Sequence, residues 1–453
     1  MSGNITSRRQ RTDASAAGLA ALKKRFKKWL TLPHGLGMAL ALAYLFRNSV
    51  FVFLVPASGP VMAVGVYLVL GYCFCYILFS DVQIVTIGML FVMACLPGAI
   101  FSVLPDTTIP LACGWTLLML VVGPLLLGSK ARSLRLGAWT SLENLSVLIG
   151  TASCLWWLLR LPVLGTGVFT GVMTHANTVG PMSGLAMVIA ASRALATQKK
   201  ISRNWLLLTA SCIVPTLASG SRTSVTGAAV GLIVVSIVEW RKLSEHLLLL
   251  FMLGGFMMIG GYAAIRQSSQ FENLTGELGK KGQENTREQL WYDRIAEFKA
   301  RPEIGVGIGY AEGEGAAIDD HGKLKVEPGS SYLAMLSMTG LSGTIALVIL
   351  LVWVGTKWGS GYQLIPRKRL SELFGAGAFM AVNGIAEGWI LAVGSPMCLI
   401  FWLWLTHLVD SVDAAEARRV REVHRRRVGR SSMSADRLPS GRQRRGMRMT
   451  ETD

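Results

Sequence analysis

Apolar runs of about twenty residues, separated by short polar joints, fill most of the chain outside one central stretch. A hydrocarbon core of about 30 Å takes about 20 apolar residues in helical form, because each residue adds about 1.5 Å. Matched to that length, the pattern predicts twelve spans, at about 36–55, 60–79, 84–104, 109–128, 142–161, 177–195, 204–219, 223–240, 246–265, 331–354, 372–391 and 395–410. Lipid offers no partner to backbone N–H and C=O groups, so runs this long read as helices. The expected fold class is an all-α polytopic membrane protein with about 12 transmembrane helices. Two places strain the pattern. Trp205 to Trp240 holds no long loop, and we divide it at Ser219-Gly-Ser-Arg222, because a charged side chain belongs at an interface and not mid-bilayer. Arg47 falls inside the first span, at a penalty of about 2.5–3.5 kcal/mol on translocon scales, so it must snorkel, pair or mark a misplaced boundary. No fixed-period repeat is visible, nor the matching pair of broken helices that points to a transporter.

One polar stretch, 266–330, interrupts the oily pattern. Inside it, Thr286 to Ala300 reads as a helix that Pro302 ends, with Arg287, Trp291, Arg294, Phe298 and Arg301 at helical spacing. A face that mixes guanidiniums and rings suits two readings. It can clamp a lipid-linked phosphate at the membrane surface, or it can be a solvated helix that covers the bundle. The expected organisation is a basic segment 1–33, spans one to nine within 34–265, the large loop 266–330, spans ten to twelve within 331–410, and a basic, disordered tail 411–453.

Composition agrees with this pattern: 51% of the 453 residues are hydrophobic and 16% are charged, with mean hydropathy +0.45. The net charge of +18 would suit nucleic acid, but its placement points elsewhere. Basic residues crowd both ends of the chain and the connectors at Lys130–Arg135, Arg193–Arg203, Arg241–Lys242 and Lys357–Arg369, all on one side if the N-terminus is inside. The positive-inside rule then sets both termini in the cytoplasm and the large loop outside. No nucleic-acid partner is expected, and membrane lipid is. The seven cysteines all lie in apolar runs, which gives no disulfide framework or metal site. No cleavable signal peptide is expected.

Several polar residues are candidates for chemistry. Gly305-Val-Gly-Ile-Gly309 follows a helix and not a strand, so tight backbone passage is favoured over dinucleotide binding. Asp319-Asp320-His321 reads as surface in preference to a ligand trio. Glu327 stands at the mouth of the tenth span, where a carboxylate can act as a base or can simply favour the helix dipole. His175 can contact substrate or make a structural bond. Glu387 at the membrane edge needs a partner such as Arg222.

The motifs resemble those of the superfamily of O-antigen ligases and Wzy-type polysaccharide polymerases. Ser219-Gly-Ser-Arg-Thr223 is similar to its S-x-S-R element. Thr286-Arg-Glu-Gln-Leu-Trp291, with Arg301-Pro-Glu-Ile-Gly-Val-Gly-Ile-Gly309, resembles its R-x-x-x-W and glycine run. Pro328-Gly-Ser-Ser-Tyr-Leu333 with Gly340-Leu-Ser-Gly343, then Glu387-Gly-Trp389 and Gly394-Ser-Pro396, resemble its later elements, and His175-Ala-Asn177 a weaker upstream one. The resemblance covers roughly 165–405. It implies a GT-C-like, metal-independent glycosyltransferase without cofactors. Such an enzyme acts on the periplasmic face of the bacterial inner (plasma) membrane, on a glycan carried by undecaprenyl diphosphate, with other polysaccharide assembly proteins as further partners. It also implies Arg222 and Arg287 as diphosphate-binding residues. Arg294, on the helical face of Arg287, is taken with them, and Glu387, His175 and Trp291 are candidate supporting residues. Counting back from Gly340 puts Gly329 where ligases carry a histidine. That departure favours a polymerase, with Glu327, or else His321, as the catalytic base. The alternatives are a ligase that moves finished polymer to a lipid A core or protein, and a glycan transporter, against which stands the scarcity of acids deep in the spans.

Overall fold

The computed structural model describes residues 32–50, 58–80, 82–162, 169–196, 202–239, 286–311, 316–318, 324–326 and 329–435. Its helices are α1 (Leu32–Arg47), α2 (Ser58–Leu78), α3 (Thr86–Ile100), α4 (Pro105–Val122), α5 (Ser129–Leu158), α6 (Ala176–Leu195), α7 (Arg203–Ala218), α8 (Arg222–Val238), α9 (Thr286–Ala300), α10 (Ser331–Gly361), α11 (Arg367–Asn383) and α12 (Pro396–Ala435). A 3-10 turn (Tyr362–Leu364) follows α10, and there are two small antiparallel ribbons: β1 (Gln83–Ile84) with β2 (Leu126–Leu127), and β3 (Ala316–Ile318) with β4 (Leu324–Val326). Every predicted span falls on a helix except 246–265, which lies outside the described residues.

Five of these helices hold segments long and apolar enough to cross a membrane by length and composition: Val61–Leu78, Pro105–Val122, Ala176–Leu195, Ser331–Leu364 and Pro396–His424. Their outward faces match lipid. On α2, Val61, Val64, Leu68 and Tyr72 are exposed at helical spacing, while Val66, Leu70, Cys73 and Ile77 pack inward. A helix apolar on both faces is stable with its outer face in hydrocarbon and not in water. The chain is a multi-pass, all-α membrane protein.

Four boundaries differ from the sequence reading. α1 stops at Arg47, so this arginine sits at a helix end and not within a span. α5 begins at Ser129, so the basic connector before the fifth span is helical and partly buried. α11 stops at Asn383, which puts Glu387 in an irregular turn. α12 runs on to Ala435, so 411–435, expected as disordered tail, is helix. A run of arginines does not itself break a helix, since Arg has high helical propensity.

Charges hold one end of the bundle together. Arg135 Nε and Nη2 donate to the two carboxylate oxygens of Asp410 at 2.8 and 2.9 Å, and Nη1 donates to the Leu126 carbonyl at 2.8 Å. Beside it, Glu143 of α5 and Glu372 of α11 are held by two arginines. Arg193 reaches both, at 2.7 and 3.1 Å, and Arg369 reaches both, at 2.8 and 2.7 Å. Arg369 also meets His407 Nε2, whose ring stacks on Trp139. Two cations and two anions cancel, which lets the acids be buried at the border of the predicted spans. These acids stand out only in the fold, where α5, α6 and α11 together bring them to Arg193 and Arg369.

At the other end, a chain crossing fixes the large loop to the bundle. α10 is broken at Gly340 (φ 65°, ψ −165°). The glycine run that follows α9 fits into this break. Val306 and Gly307 N–H groups donate to the Ser337 and Met338 carbonyls, and Leu341 and Ser342 N–H groups donate to those of Pro302 and Glu303, at 2.8–3.1 Å. Backbone groups freed by the break are thereby satisfied. A Cβ at Gly305 would lie 2.4 Å from Met338 C, and one at Gly340 would lie 2.6 Å from Glu303 C, and both residues have positive φ. Gly98 of α3 closes the third side, against the Ile304 and Met338 carbonyls. The run is therefore a tight backbone passage.

Candidate functional site

The quoted motifs gather at the end of the bundle away from the Arg135–Asp410 pair. Ser219, Gly220 and Ser221 form the turn from α7 into α8. Gly220 takes φ 67°, and Ser221 caps α8 by accepting from the Ser224 N–H at 3.3 Å. This cap presents Arg222 as the first residue of α8, exposed, and its guanidinium makes no hydrogen bond or ion pair among the described residues. Gly180 of α6 seats the turn: a Cβ there would lie 2.6 Å from Ser219 Oγ. Five residues earlier, the exposed His175 is the N-cap of α6, where its carbonyl accepts the Thr178 and Val179 N–H groups.

Asn383, fully buried at the end of α11, joins two motifs. Its Nδ2 donates to Ser224 Oγ at 3.3 Å and its Oδ1 accepts from Trp389 Nε1 at 2.9 Å. Ser331, the first residue of α10, ties the same turn to the loop. Its Oγ donates to the Glu387 carbonyl at 2.6 Å and accepts from the Trp389 N–H at 3.0 Å, and its N–H donates to the Gly384 carbonyl. The half-buried Glu387 is thus held by its backbone at the mouth of α10. A histidine or serine motif alone would not reveal Asn383 and Ser331. Asn383 stands inside an apolar run and Ser331 within the Pro328–Leu333 motif, and only the folded turn brings both to Trp389.

α9 covers this mouth. Trp291 Nε1 donates to the Gly329 carbonyl at 3.4 Å, and Leu290 packs on Gly329. Arg294 is buried, with Nη1 bound to Glu297 at 2.8 Å and to the Tyr310 carbonyl at 2.9 Å. Burial pushes this guanidinium below its ordinary value, and the Glu297 carboxylate pulls it back up. Arg294, expected among the diphosphate-binding residues, here fastens α9 to the end of the glycine run. The inner face of α9 packs on protein, which favours the covering role over a helix dipped in lipid. Arg287 stands one turn before Trp291 on the same helical face, and its side chain lies outside the described residues, as do Glu327 and His321.

Gly329 has its own geometry. With φ 70° and a would-be Cβ at 2.9 Å from Leu290 Cβ, the position disfavours any side chain. The absent histidine is therefore matched by a backbone that a histidine would strain.

A cavity of about 460 Å³ opens at the far end instead, lined by Val82, Gln83, Leu127, Gly128, Ser129, Arg132 and Asp413. It touches none of these motifs.

A family model described as O-antigen ligase matches residues 205–348, from α7 into α10. With the motifs gathered around that segment, the match supports a relation to the superfamily of O-antigen ligases and Wzy-type polymerases. That match supports a membrane enzyme of the ligase or polymerase type, associated with polysaccharide biosynthesis. No curated protein matches the chain significantly.

Proposed function

We propose that the protein is a bacterial inner-membrane polysaccharide polymerase. It transfers a glycan from undecaprenyl diphosphate to a lipid-linked repeat unit on the periplasmic face, without a metal ion or cofactor. The observation that carries this reading is Arg222, an exposed guanidinium with no partner among the described residues, set at the N-terminus of α8. A guanidinium binds phosphate through two parallel N–H bonds, and a helix N-terminus favours the same charge. In this scheme the acceptor hydroxyl attacks the anomeric carbon of the donor glycan. The bond from that carbon to the diphosphate oxygen breaks, and the diphosphate leaves as an anion held by Arg222 and Arg287. The hydroxyl proton passes to Glu327, or else to His321. His175, Glu387 and Trp291 line the approach. The reaction needs charge stabilisation where the leaving group forms, and guanidiniums supply it.

The second reading, a ligase acting on finished polymer, is favoured by the description of the matching family. Gly329 stands against it, because the ligase histidine is missing there. Product analysis separates the two. A deletion strain that keeps single repeat units on the carrier or acceptor supports the polymerase, and polymer stranded on the lipid carrier supports the ligase. Complementation with Arg222→Ala is expected to restore no long polymer. Polymer of normal length and amount from that variant would remove Arg222 from the mechanism.

A further inference from the structure

A second guanidinium at the same end of the bundle has no place in the scheme above. Arg47 is the last residue of α1, half-buried, and makes no hydrogen bond or ion pair among the described residues. Its guanidinium is held flat beside the Gly394 turn: a Cβ on Gly394 would lie 3.0 Å from Arg47 Cζ. The next residue, Asn48, locks this placement. Its side-chain amide donates to the Gly394 carbonyl at 3.1 Å and to the Tyr44 carbonyl at 2.8 Å. Its own carbonyl accepts the Thr174 N–H at 2.9 Å, immediately before His175, and Ser49 bridges to Met173. One turn back on the face of Arg47, the Tyr44 hydroxyl is buried and has no hydrogen-bond partner among the described residues.

A buried or half-buried cation is costly unless an anion meets it, and a long side chain loses entropy when it is fixed. The backbone bonds of Asn48 hold Arg47 in place without neutralising it. Arg47 is thereby joined through Thr174 to His175 at the start of α6, and α6 carries the Gly180 that seats the Arg222 turn. We infer that Arg47 is a further phosphate-binding guanidinium, which meets the lipid-borne diphosphate from the α1 side. This inference rests on the diphosphate reading above. In its light Gly394 is glycine because a side chain there would displace the guanidinium.

The test uses the full chain in phosphatidylcholine nanodiscs, titrated with undecaprenyl diphosphate. Arg47→Gln is expected to weaken binding by about ten-fold or more, and Arg47→Lys by only about three-fold, since charge is kept and the two-pronged contact is lost. Unchanged binding by Arg47→Gln overturns the inference. If Arg222→Gln loses binding in the same series, the diphosphate reading survives that failure. If neither variant loses it, both fall. The unsubstituted protein gives a second measurement that needs no variant to fold. Phenylglyoxal modification of Arg47, read by peptide mass spectrometry, is expected to be blocked by undecaprenyl diphosphate. Equal labelling with and without it overturns the inference. Equal protection by phosphatidylglycerol nanodiscs alone also does, because an ordinary anionic headgroup would then be the ligand.

Discussion

Arg222 and Arg294 are the same residue type, both singled out by one set of motifs, and the fold puts them to opposite uses. Arg222 ends a capped turn with its charge exposed. Arg294 is enclosed with Glu297 and holds α9 to the Tyr310 carbonyl. Removing one partner of such a buried pair leaves the other uncompensated, at a cost of about 3–5 kcal/mol. Glu297→Ala should therefore lower the thermal unfolding midpoint in detergent sharply, whereas Arg222→Ala should leave it nearly unchanged. Sequence spacing could place both arginines on candidate surfaces but could not distinguish them. The distinction depends on whether a carboxylate one turn along the helix is covered by other chain. The same limit hid Asn383, and the partners of Ser331, which lie on other elements. Arg222 and His175 stand at sequence-visible breaks between apolar runs, whereas Glu387 falls inside an expected span and only the end of α11 at Asn383 puts it in a turn.

At the scale of elements, most helices were legible because lipid demands their length and uniform polarity. Their ends were less so. α5 extends through a basic connector and α12 through a basic tail, because helical geometry continues wherever propensity and packing allow it, whatever the charge. The break in α10 was legible only as a pair of glycine motifs, Gly305 to Gly309 and Gly340 to Gly343. It took the backbone crossing to show that the two motifs are one feature. Both Gly305 and Gly340 combine positive φ with a backbone atom within 2.4–2.6 Å of a would-be Cβ. Either one changed to alanine should cost about 1–3 kcal/mol from the backbone conformation alone, before any displacement of the opposing strand of chain. Reduced yield of folded protein by size-exclusion profile is the expected outcome. Gly355 and Gly359, with nothing within 4 Å, should accept alanine without that effect and serve as controls.

For the whole molecule, the two ends differ in character. One end collects Arg135, Asp410, Glu143, Glu372, Arg193 and Arg369 in closed ion pairs. The other collects open backbone turns, capped serines and guanidiniums without partners among the described residues. We propose that the first end is cytoplasmic and the second periplasmic, in line with the positive-inside rule. A single cysteine introduced at the exposed Tyr292 of α9, in a background freed of accessible thiols, should react with a membrane-impermeant maleimide in intact spheroplasts. One at the exposed Arg419 should react only after lysis. The reverse pattern would invert the topology and remove the site from the face where the proposed donor lies.

The crossing of α3, the glycine run and α10 also has a consequence for how the protein is made. Helices emerge from the ribosome in order, and Gly98 on α3 appears about two hundred residues before Ile304 and Met338, the carbonyls that close on it. At synthesis rates of about 5–20 residues per second, α3 waits about 10–40 s with its contact face open. The crossing therefore cannot close until the chain has passed Met338, and the Arg135–Asp410 pair at the other end closes later still. A nascent chain stopped before Gly305 carries a row of early helices whose Gly98 face is still open, and the glycine crossing is the step at which the loop is tied to them.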